Sequence, residues 1–239
     1  EGIDAAHKLT IMASIAFGIP LQFDKAYTEG ISKIAQEDVQ YATELGYRIK
    51  HLGIAKETSE GVELRVHPTL IPHRRLIANV DGVMNAVLVK GDAVGPTLYY
   101  GPGAGAEATA SAVVADIIDI VRALTTDPEN RVPHLAFQPE TLADTPILRM
   151  SEVVTSYYLR IPTQDKLGVL ADITRILSEN GISIEAMLQK EPEQEGGIVP
   201  LIMLTHEVVE KNMDAAITQV EALSTVKDSV MRIRMESLG

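Results

Sequence analysis

A proline-rich segment divides this sequence into two parts and limits what each part can fold into. Four of the twelve prolines, at positions 128, 133, 139 and 146, fall within residues 125–152. Because proline has no backbone N–H and a fixed φ, this density works against a long helix or a central strand. The sequence therefore predicts two folded units, over residues 1–124 and 155–239, joined by a linker over residues 125–154.

The composition excludes several classes of protein. The chain has 239 residues, a net charge of −12 and no cysteine, so disulfides, thiolate metal sites and cysteine nucleophiles are ruled out. An excess of acidic residues argues against nucleic-acid binding. No apolar run approaches the ~20 residues that cross a bilayer, and no charged and apolar leader is visible. We expect a soluble, cytoplasmic protein that binds neither nucleic acid nor membranes.

The first part changes between helical and strand periodicity of its apolar residues. Ala5, Leu9, Met12 and Ala16 form one stripe, which predicts a helix over residues 4–17. The other predicted elements are helices over 34–45 and 107–124 and strands over 47–54, 62–67, 85–89 and 96–100. This order predicts an α/β (α+β) unit in which helices back a mixed sheet.

The second part has a different and more regular order. Strands are predicted over 157–161, 182–187, 198–205 and 226–235, helices over 169–179 and 213–223, and a polar turn over 191–197. The resulting β-α-β-β-α-β order is typical of the ferredoxin-like unit.

Asp4 and Lys8 are the first candidates for chemistry. Their i, i+4 spacing puts them on one face of the first helix. That spacing by itself favours an ordinary surface ion pair. A functional interpretation would put both at a cleft, with the ammonium as proton donor and the carboxylate holding a substrate amine.

Two glycine-containing segments are the other candidates. Gly103, Ala104 and Gly105 follow a strand and open a helix, which favours contact with a cofactor phosphate, as one wall of a larger site. Gly168 and the Asn180-Gly181 pair are explained by the start and the end of a predicted helix. The six histidines show no metal-ligand spacing, so no metal site is predicted.

Several separated motifs of the first part resemble homoserine dehydrogenase. They are residues 2–11 (GIDAAHKLTI), 18–19, 34–42 (IAQEDVQYA), 45–50 (LGYRIK) and 103–105, in the order of that family. Residues 155–236 resemble an ACT domain, a small amino-acid-sensing module. The resemblance covers nearly the whole chain.

The resemblance implies an activity and roles for particular residues. Homoserine dehydrogenases reduce L-aspartate 4-semialdehyde to L-homoserine with NADPH or NADH, on the route to threonine and methionine. Lys8 matches the catalytic lysine and Asp4 the substrate-binding aspartate, and both are expected to contact the substrate. The turn at Gly103, Ala104 and Gly105 matches the segment that returns to the cofactor, and the mixed-sheet unit is expected to serve substrate binding and dimerisation.

The family's nucleotide-binding domain has no counterpart in this sequence. The chain begins at Glu1 rather than Met, so either a leader has been removed or the chain is the C-terminal part of a longer protein. We expect this chain alone to lack dehydrogenase activity. Two alternatives are a non-catalytic amino-acid-binding regulatory protein and a subunit completed by a separate nucleotide-binding chain.

For the ACT part, the resemblance implies an amino-acid effector, with threonine expected as the end product of the pathway. The effector is expected where residues Asp165 to Gly168 meet Asn180, Gly181 and Ile182. Such sites usually form between two ACT modules, so at least a homodimer is expected. The backbone N–H groups near Gly168 could hold the effector carboxylate.

Overall fold

A computed structural model describes residues 1–128, 131–189 and 197–238. The helices are Ile3–Phe17 (α1), Gln36–Glu44 (α2), Ala106–Leu124 (α3), Val169–Glu179 (α4) and Glu210–Glu221 (α5). The strands are Tyr27–Thr28 (β1), Tyr47–Thr58 (β2), Gly61–Pro72 (β3), Met84–Gly91 (β4), Gly95–Pro102 (β5), Val154–Gln164 (β6), Ile184–Gln189 (β7), Ile198–Thr205 (β8), Val208–Val209 (β9) and Met231–Met235 (β10).

The predicted mixed α/β class is confirmed. Every predicted helix and strand is present, with its ends moved by a few residues. The start of the last strand and the end of β3 differ most: the last strand begins at Met231, and before it the Ser229 N–H bonds to the Asp228 carboxylate at 2.7 Å. The predicted polar turn over 191–197 lies outside the described residues except at Gly197.

One mixed sheet runs through both parts of the chain. Its strands follow the order β1-β3-β10-β6-β8-β7, with β2 paired to β3 and β9 to β6. The β10-β6-β8-β7 portion, with α4 and α5, is the predicted β-α-β-β-α-β unit. Strand β10 then pairs in parallel with β3, through Arg234 opposite Thr69 and Met235 opposite Leu70. The two parts therefore share backbone hydrogen bonding across the predicted linker.

Strand β3 continues through two prolines that the sequence predicts to lie beyond it. The Val66 and Leu70 carbonyls accept bonds from the Glu29 and Glu236 N–H groups, on the side away from β2. Pro68 and Pro72 have the same strand parity, so their nitrogens also face away from β2. The β2–β3 ladder therefore loses no donor, and all twelve residues of β3 pair with β2.

Apolar cores cover both faces of the β10-β6-β8-β7 portion of the sheet. On one face, Tyr157 and Ile161 of β6 pack against α4 and α5. On the other face, Tyr158 packs with Tyr41 and Ala42 of α2, a helix of the first part. A third core joins α1 to β3. Helix α2 therefore covers the face of β10-β6-β8-β7 that is opposite α4 and α5.

Strands β4 and β5 and helix α3 stand apart from these cores. Within the described residues, the two strands pair only with each other, as a separate two-stranded sheet. Helix α3 has 19 residues and buries none of them in the described structure. Its exposed apolar side chains are Val113, Val114, Ile117, Ile118, Ile120, Val121 and Leu124.

The proline-rich segment is docked on β3 rather than free of it. In its described residues it forms short 3-10 turns at Pro139–Thr141 and Met150–Glu152. The Val62 N–H donates to the Pro146 carbonyl at 2.9 Å, and the Leu148 N–H donates to the Val62 carbonyl at 2.9 Å. The segment thus adds a bridge beside the start of β3.

Candidate substrate and effector sites

Helix α1 presents Asp4 and Lys8 on its exposed face. The opposite face buries Ala6, Leu9 and Ala13 against β3. The Lys8 Nζ lies 2.7 Å from an Asp4 carboxylate oxygen, and the side chains are 67% and 84% exposed, respectively. An ion pair this exposed adds at most about 1 kcal/mol to stability. The pair is therefore available for a ligand without loss of the fold.

Apolar side chains surround this ion pair on the same helix. Ile11 and Ile15 continue the face of Asp4 and Lys8 and are about half exposed. The neighbouring His7 ring stacks on Phe23, with centroids 3.7 Å apart. Charged groups bordered by exposed apolar ones are typical of a surface that another element or a ligand covers. Sequence reasoning missed His7 and Phe23, which are brought together by the fold.

The glycine turn follows the separate β4–β5 sheet, whereas α1 packs on β3 of the large sheet. Gly103 follows β5, and a Cβ added to it would overlap the Asn85 side chain of β4. Gly105 has a φ of 128° and precedes α3. The backbone of the turn is exposed. The substrate candidates on α1 and the cofactor candidates on this hairpin are therefore carried by separate sheets.

A cavity of about 460 Å³ lies at the start of α4. Predicted residues Asp165 and Gly168 line it, and Gly168 has a left-handed φ of 89° at the helix N-terminus. The Asp165 N–H is bonded to the Gly197 carbonyl at 3.3 Å. The other lining residues are Thr163, Gln164, Lys166, Leu167, Val169, Leu170, Gln189 and Leu201. Sequence reasoning missed Gln189 and Leu201, which come from neighbouring strands.

The remaining predicted effector residues lie at the other end of α4. Asn180 caps the helix, and its side-chain amide donates to the Ile176 carbonyl at 2.8 Å. Gly181 has a φ of 73°, and Ile182 is buried in the core. Helix α4 has 11 residues, about 16 Å, between these groups. Within one chain the structure does not bring the two predicted groups together.

Buried charged clusters join the two parts of the chain. Arg234 of β10 donates to Glu210 of α5 at 2.9 Å and to Glu29 at 2.7 Å. Asp38 of α2 accepts from Arg160 at 2.6 Å and from Tyr158 at 3.1 Å. The sequence pattern gave no indication of these pairs, because their members are far apart in the chain.

A third cluster is centred on Arg65 of β3. It donates to Glu63 at 2.9 Å, to Glu236 at 2.6 Å and to His67 at 2.7 Å. Because Arg65 stays charged and can only donate, the His67 Nε2 must accept, which puts the ring proton on Nδ1 beside the Pro68 carbonyl. His67 is thus held neutral.

These surroundings shift several pKa values. Burial, with the charges of Arg234 and Arg65, holds the pKa of His67 well below its ordinary value. Burial raises the pKa of the Glu210 carboxyl, but hydrogen bonding and charge from Arg234 outweigh it, so the net shift is downward. Burial, reinforced by the Glu210 charge, raises the pKa of Tyr157.

Two kinds of site are not found in the described residues. No three His, Asp or Glu side chains among residues 1–128, 131–189 and 197–238 come close enough to hold a metal ion. No helix in the same part of the chain is both long and apolar enough to cross a membrane.

Comparison with known proteins defines the class to which this fold and these residues belong. Residues 1–118 match the family model described as homoserine dehydrogenase, and residues 157–224 match the ACT domain. The chain thus combines a homoserine dehydrogenase region with an ACT regulatory domain. It belongs to the homoserine dehydrogenase family, as the resemblance implies.

Individual relatives agree with this assignment. Homoserine dehydrogenase of Pseudomonas aeruginosa is 66% identical over 239 residues, covering 100% of this chain and 55% of the relative. A crystal structure of the Thiobacillus denitrificans enzyme is 67% identical, with a TM-score of 0.93, covering 100% of this chain and 54% of that one. A Staphylococcus aureus homoserine dehydrogenase structure is 25% identical, with a TM-score of 0.69, covering 99% of this chain and 54% of that one. The chain spans about half the length of the relatives it matches.

Proposed function

We propose that the full-length protein reduces L-aspartate 4-semialdehyde to L-homoserine with NADPH or NADH, and that this chain supplies the substrate side of the active site. The observation that carries the proposal is the Asp4–Lys8 pair, which lies on the exposed face of α1 within the family-matched region. Its exposure leaves the pair open to a substrate and to the rest of the protein.

Lys8 and Asp4 have distinct roles in this reaction. The nicotinamide cofactor, when bound, supplies a hydride to the aldehyde carbon. The carbonyl oxygen then gains negative charge, which the Lys8 ammonium stabilises and neutralises by donating a proton. Asp4 accepts hydrogen bonds from the ammonium of the substrate. Because the two side chains now pair with each other at 2.7 Å, substrate binding replaces that contact with one ammonium at Asp4 and one oxygen at Lys8.

The turn at Gly103, Ala104 and Gly105 suits one wall of the cofactor site. Its residues are exposed, and a side chain at Gly103 would have to displace the Asn85 amide. Glu107 lies in the first turn of α3, where its charge opposes a phosphate. The turn therefore fits the flank of a nicotinamide cofactor better than the cradle of its diphosphate, and the main binding surface lies in the family's nucleotide-binding domain.

The apolar surface of α3 and of the β4–β5 hairpin supports an assembly larger than this chain. Val87, Val89 and Tyr99 of the hairpin are exposed, as are seven large apolar residues of α3. This many exposed large apolar side chains are unusual on a free monomer. We assign it to contacts with the nucleotide-binding domain and with a second copy, as a homodimer or larger homo-oligomer. The chain alone is then inactive, and NADPH oxidation by it would contradict this assignment.

The cavity beside α4 is the proposed effector site, with L-threonine as the effector. Backbone N–H groups at the start of α4 favour the effector carboxylate, and Asp165 favours its ammonium. Asn180, Gly181 and Ile182 lie about 16 Å away along the helix. They take part only if a second copy presents its own end of α4 to the cavity.

Replacing Lys8 tests the proposed activity. In the full-length protein, Lys8→Met removes the proton donor and is expected to lower kcat with aspartate semialdehyde by about 10²–10⁴-fold. Lys25→Met is the matched control, because Lys25 is an exposed lysine that bonds only locally to Gln22. A kcat for Lys8→Met within twofold of the wild type would overturn the proposed role.

The cavity also favours a second candidate, a non-catalytic amino-acid-binding protein. It lies wholly within the ACT part and requires nothing of α1. A full-length protein that binds threonine but lacks dehydrogenase activity would support this candidate. Co-purification of a separate nucleotide-binding chain that restores activity would instead support a two-chain enzyme.

A further inference from the structure

We propose that Glu29 is a positioning residue that links the ACT sheet to the start of helix α1. The proposal rests on the function proposed above, because it concerns the regulation of the Asp4 and Lys8 site. Glu29 lies directly after β1, is bonded to Arg234 of β10 and is bonded to His51, which packs against Gly2 at the start of α1. Its side chain is bonded to β10, and its backbone is connected to the start of α1 through His51.

The side chain of Glu29 is 29% exposed and lies at the edge of the buried cluster around Arg234. The Arg234 Nη1 donates to a Glu29 carboxylate oxygen at 2.7 Å, and the Tyr27 hydroxyl donates to the same oxygen at 2.8 Å. Arg234 is 2% exposed and is also bonded to Glu210. Hydrogen bonds between charged groups at this depth fix both distance and direction. A displacement of β10 therefore moves the Glu29 carboxylate or breaks its bond.

The backbone of Glu29 is held against the residues that precede α1. Its N–H donates to the Val66 carbonyl at 2.8 Å, and its own carbonyl lies 2.9 Å from the His51 Nε2. The His51 ring packs against Gly2, where an added Cβ would lie 3.1 Å from the ring. A Cβ added to the next residue, Gly30, would likewise lie 3.1 Å from the Glu1 Cα. The start of α1 therefore lies against His51 and Gly30, and Glu29 is bonded to the first and precedes the second.

Helix α1 transfers this contact to the substrate site. Gly2 caps the helix with a left-handed φ of 86°, Asp4 lies in its first turn and Lys8 one turn later. A 15-residue helix packed along β3 moves as a unit. A shift at Gly2 therefore changes the position of both side chains relative to the rest of the active site.

At the other end, the chain of contacts begins at the effector cavity. Thr163 and Gln164, the last residues of β6, line that cavity. Strand β6 pairs directly with β10 over five residues, including Arg234 opposite Tyr157. The Tyr157 hydroxyl donates to Glu210 at 2.7 Å, which ties β6 to the same cluster. An effector that moves β6 thus acts on Arg234 and Glu29.

The other charged pairs between the two parts that are named above do not connect the ACT part to the start of α1. Asp38 connects β6 to α2, and Arg65 connects Glu236 to β3. Glu37 also pairs with Arg160, at 2.7 Å, but is about half exposed. Glu37→Gln therefore makes the same chemical change as Glu29→Gln at the same junction, away from α1.

Calorimetry on the full-length protein tests the proposal. The quantity measured is the factor by which saturating L-homoserine changes the Kd for L-threonine, since coupling between two ligands is reciprocal. For the wild type we expect a factor between about 5 and 150. In Glu29→Gln the factor is expected to fall close to 1, with the Kd for threonine alone within twofold of the wild type. A merely structural role would lower Tm without removing the factor.

His51→Ala provides a second variant that leaves the Glu29–Arg234 ion pair intact. His51 is exposed, so the protein is expected to fold, and the factor is again expected to fall. His73→Ala, at an exposed histidine just beyond β3, and Glu37→Gln should both keep the wild-type factor. If Glu29→Gln fails to fold, the coupling factor measured in His51→Ala tests the proposal by itself.

The outcomes separate this proposal from the one on which it rests. Wild-type coupling that persists in Glu29→Gln, or in His51→Ala where only that variant folds, overturns the role of Glu29 alone. A wild-type protein that binds both ligands without coupling overturns the proposed regulation, and the role of Glu29 with it. A wild-type protein that binds neither ligand overturns the proposed function itself.

Discussion

At the scale of single residues, the buried charges of this chain are placed where its two parts meet. Asp38, Arg65 and Arg234 are at most 2% exposed, and each has a partner from the other part of the chain. A buried charge without a partner costs several kcal/mol, whereas a well-bonded pair costs little. These residues therefore make each part dependent on the other.

Asp38→Asn is expected to destabilise the protein. The amide removes the charge that pairs with Arg160, and it presents an N–H₂ group to either the Ala35 N–H or the donors of β6. Loss of one member of a buried pair costs about 3–5 kcal/mol. We expect a loss of about 3 kcal/mol, the lower end of this range, because Arg160 keeps its ion pair with Glu37. Urea denaturation measures the change, and Glu37→Gln, at the half-exposed partner, should cost less than about 1 kcal/mol. Equal losses in the two variants would contradict the expectation.

His67 gives the stability a dependence on pH. Its folded pKa lies well below its ordinary value, so below about pH 6.5 the unfolded chain takes up a proton that the folded chain does not. The free energy of unfolding therefore falls as the pH drops from 6.5 toward the folded pKa, by up to about 1.4 kcal/mol per pH unit. Between pH 7 and pH 5, denaturation should show a smaller decline in the free energy of unfolding for His67→Gln than for the wild type. The side-chain oxygen of the glutamine can still accept a hydrogen bond from Arg65. Identical declines would exclude His67 as the cause.

At the scale of elements, sequence periodicity predicted the identity of the helices and strands better than their ends. Strand β3 passes through Pro68 and Pro72 because both nitrogens face away from β2, a fact that depends on parity within the sheet. The start of α4 was predictable, since Gly168 is where a left-handed turn is required. The cavity beside it also needs Gln189 and Leu201, which only strand pairing brings near.

Gly168 allows a test at the level of this helix. Its φ of 89° makes Gly168→Ala strained by about 1–2 kcal/mol, and the strain falls on the N–H groups assigned to the effector carboxylate. We expect the Kd for threonine, measured by calorimetry, to rise at least tenfold. Gly82→Ala is the matched control, because Gly82 also has a positive φ of 64° with open space around it but lies before β4. The same rise in Kd for both variants would show a general loss of stability instead.

At the scale of the whole molecule, the ACT part is built into the fold. Strand β10 extends the sheet from β3, and α2 covers the face of β6 that α4 and α5 leave open. The proline-rich segment between the two parts is itself bonded to Val62. Sheet pairing and packing cross the predicted boundaries at several points. The boundaries themselves remain predictions.

Removing the ACT part is therefore expected to unfold the remainder. A chain ending at residue 152 leaves Asp38, Arg65 and Glu29 without Arg160, Glu236 and Arg234, and exposes the Leu70 and Tyr41 core. We expect aggregation or the loss of cooperative unfolding, measured by circular dichroism and sedimentation. A soluble 1–152 fragment that unfolds cooperatively at the Tm of the longer chain would contradict the shared core.

The sequence by itself determined the fold class, the order of elements and the family, because these depend on local periodicity and on motifs that are contiguous in the chain. It also singled out Asp4 and Lys8, through a motif that spans one helix. Only the tertiary structure decided that one sheet joins the two parts and that Glu29 meets Arg234, 205 residues away in sequence. Pairing across the sheet and burial of charge are properties of the assembled strands, so a local pattern of residues does not contain them.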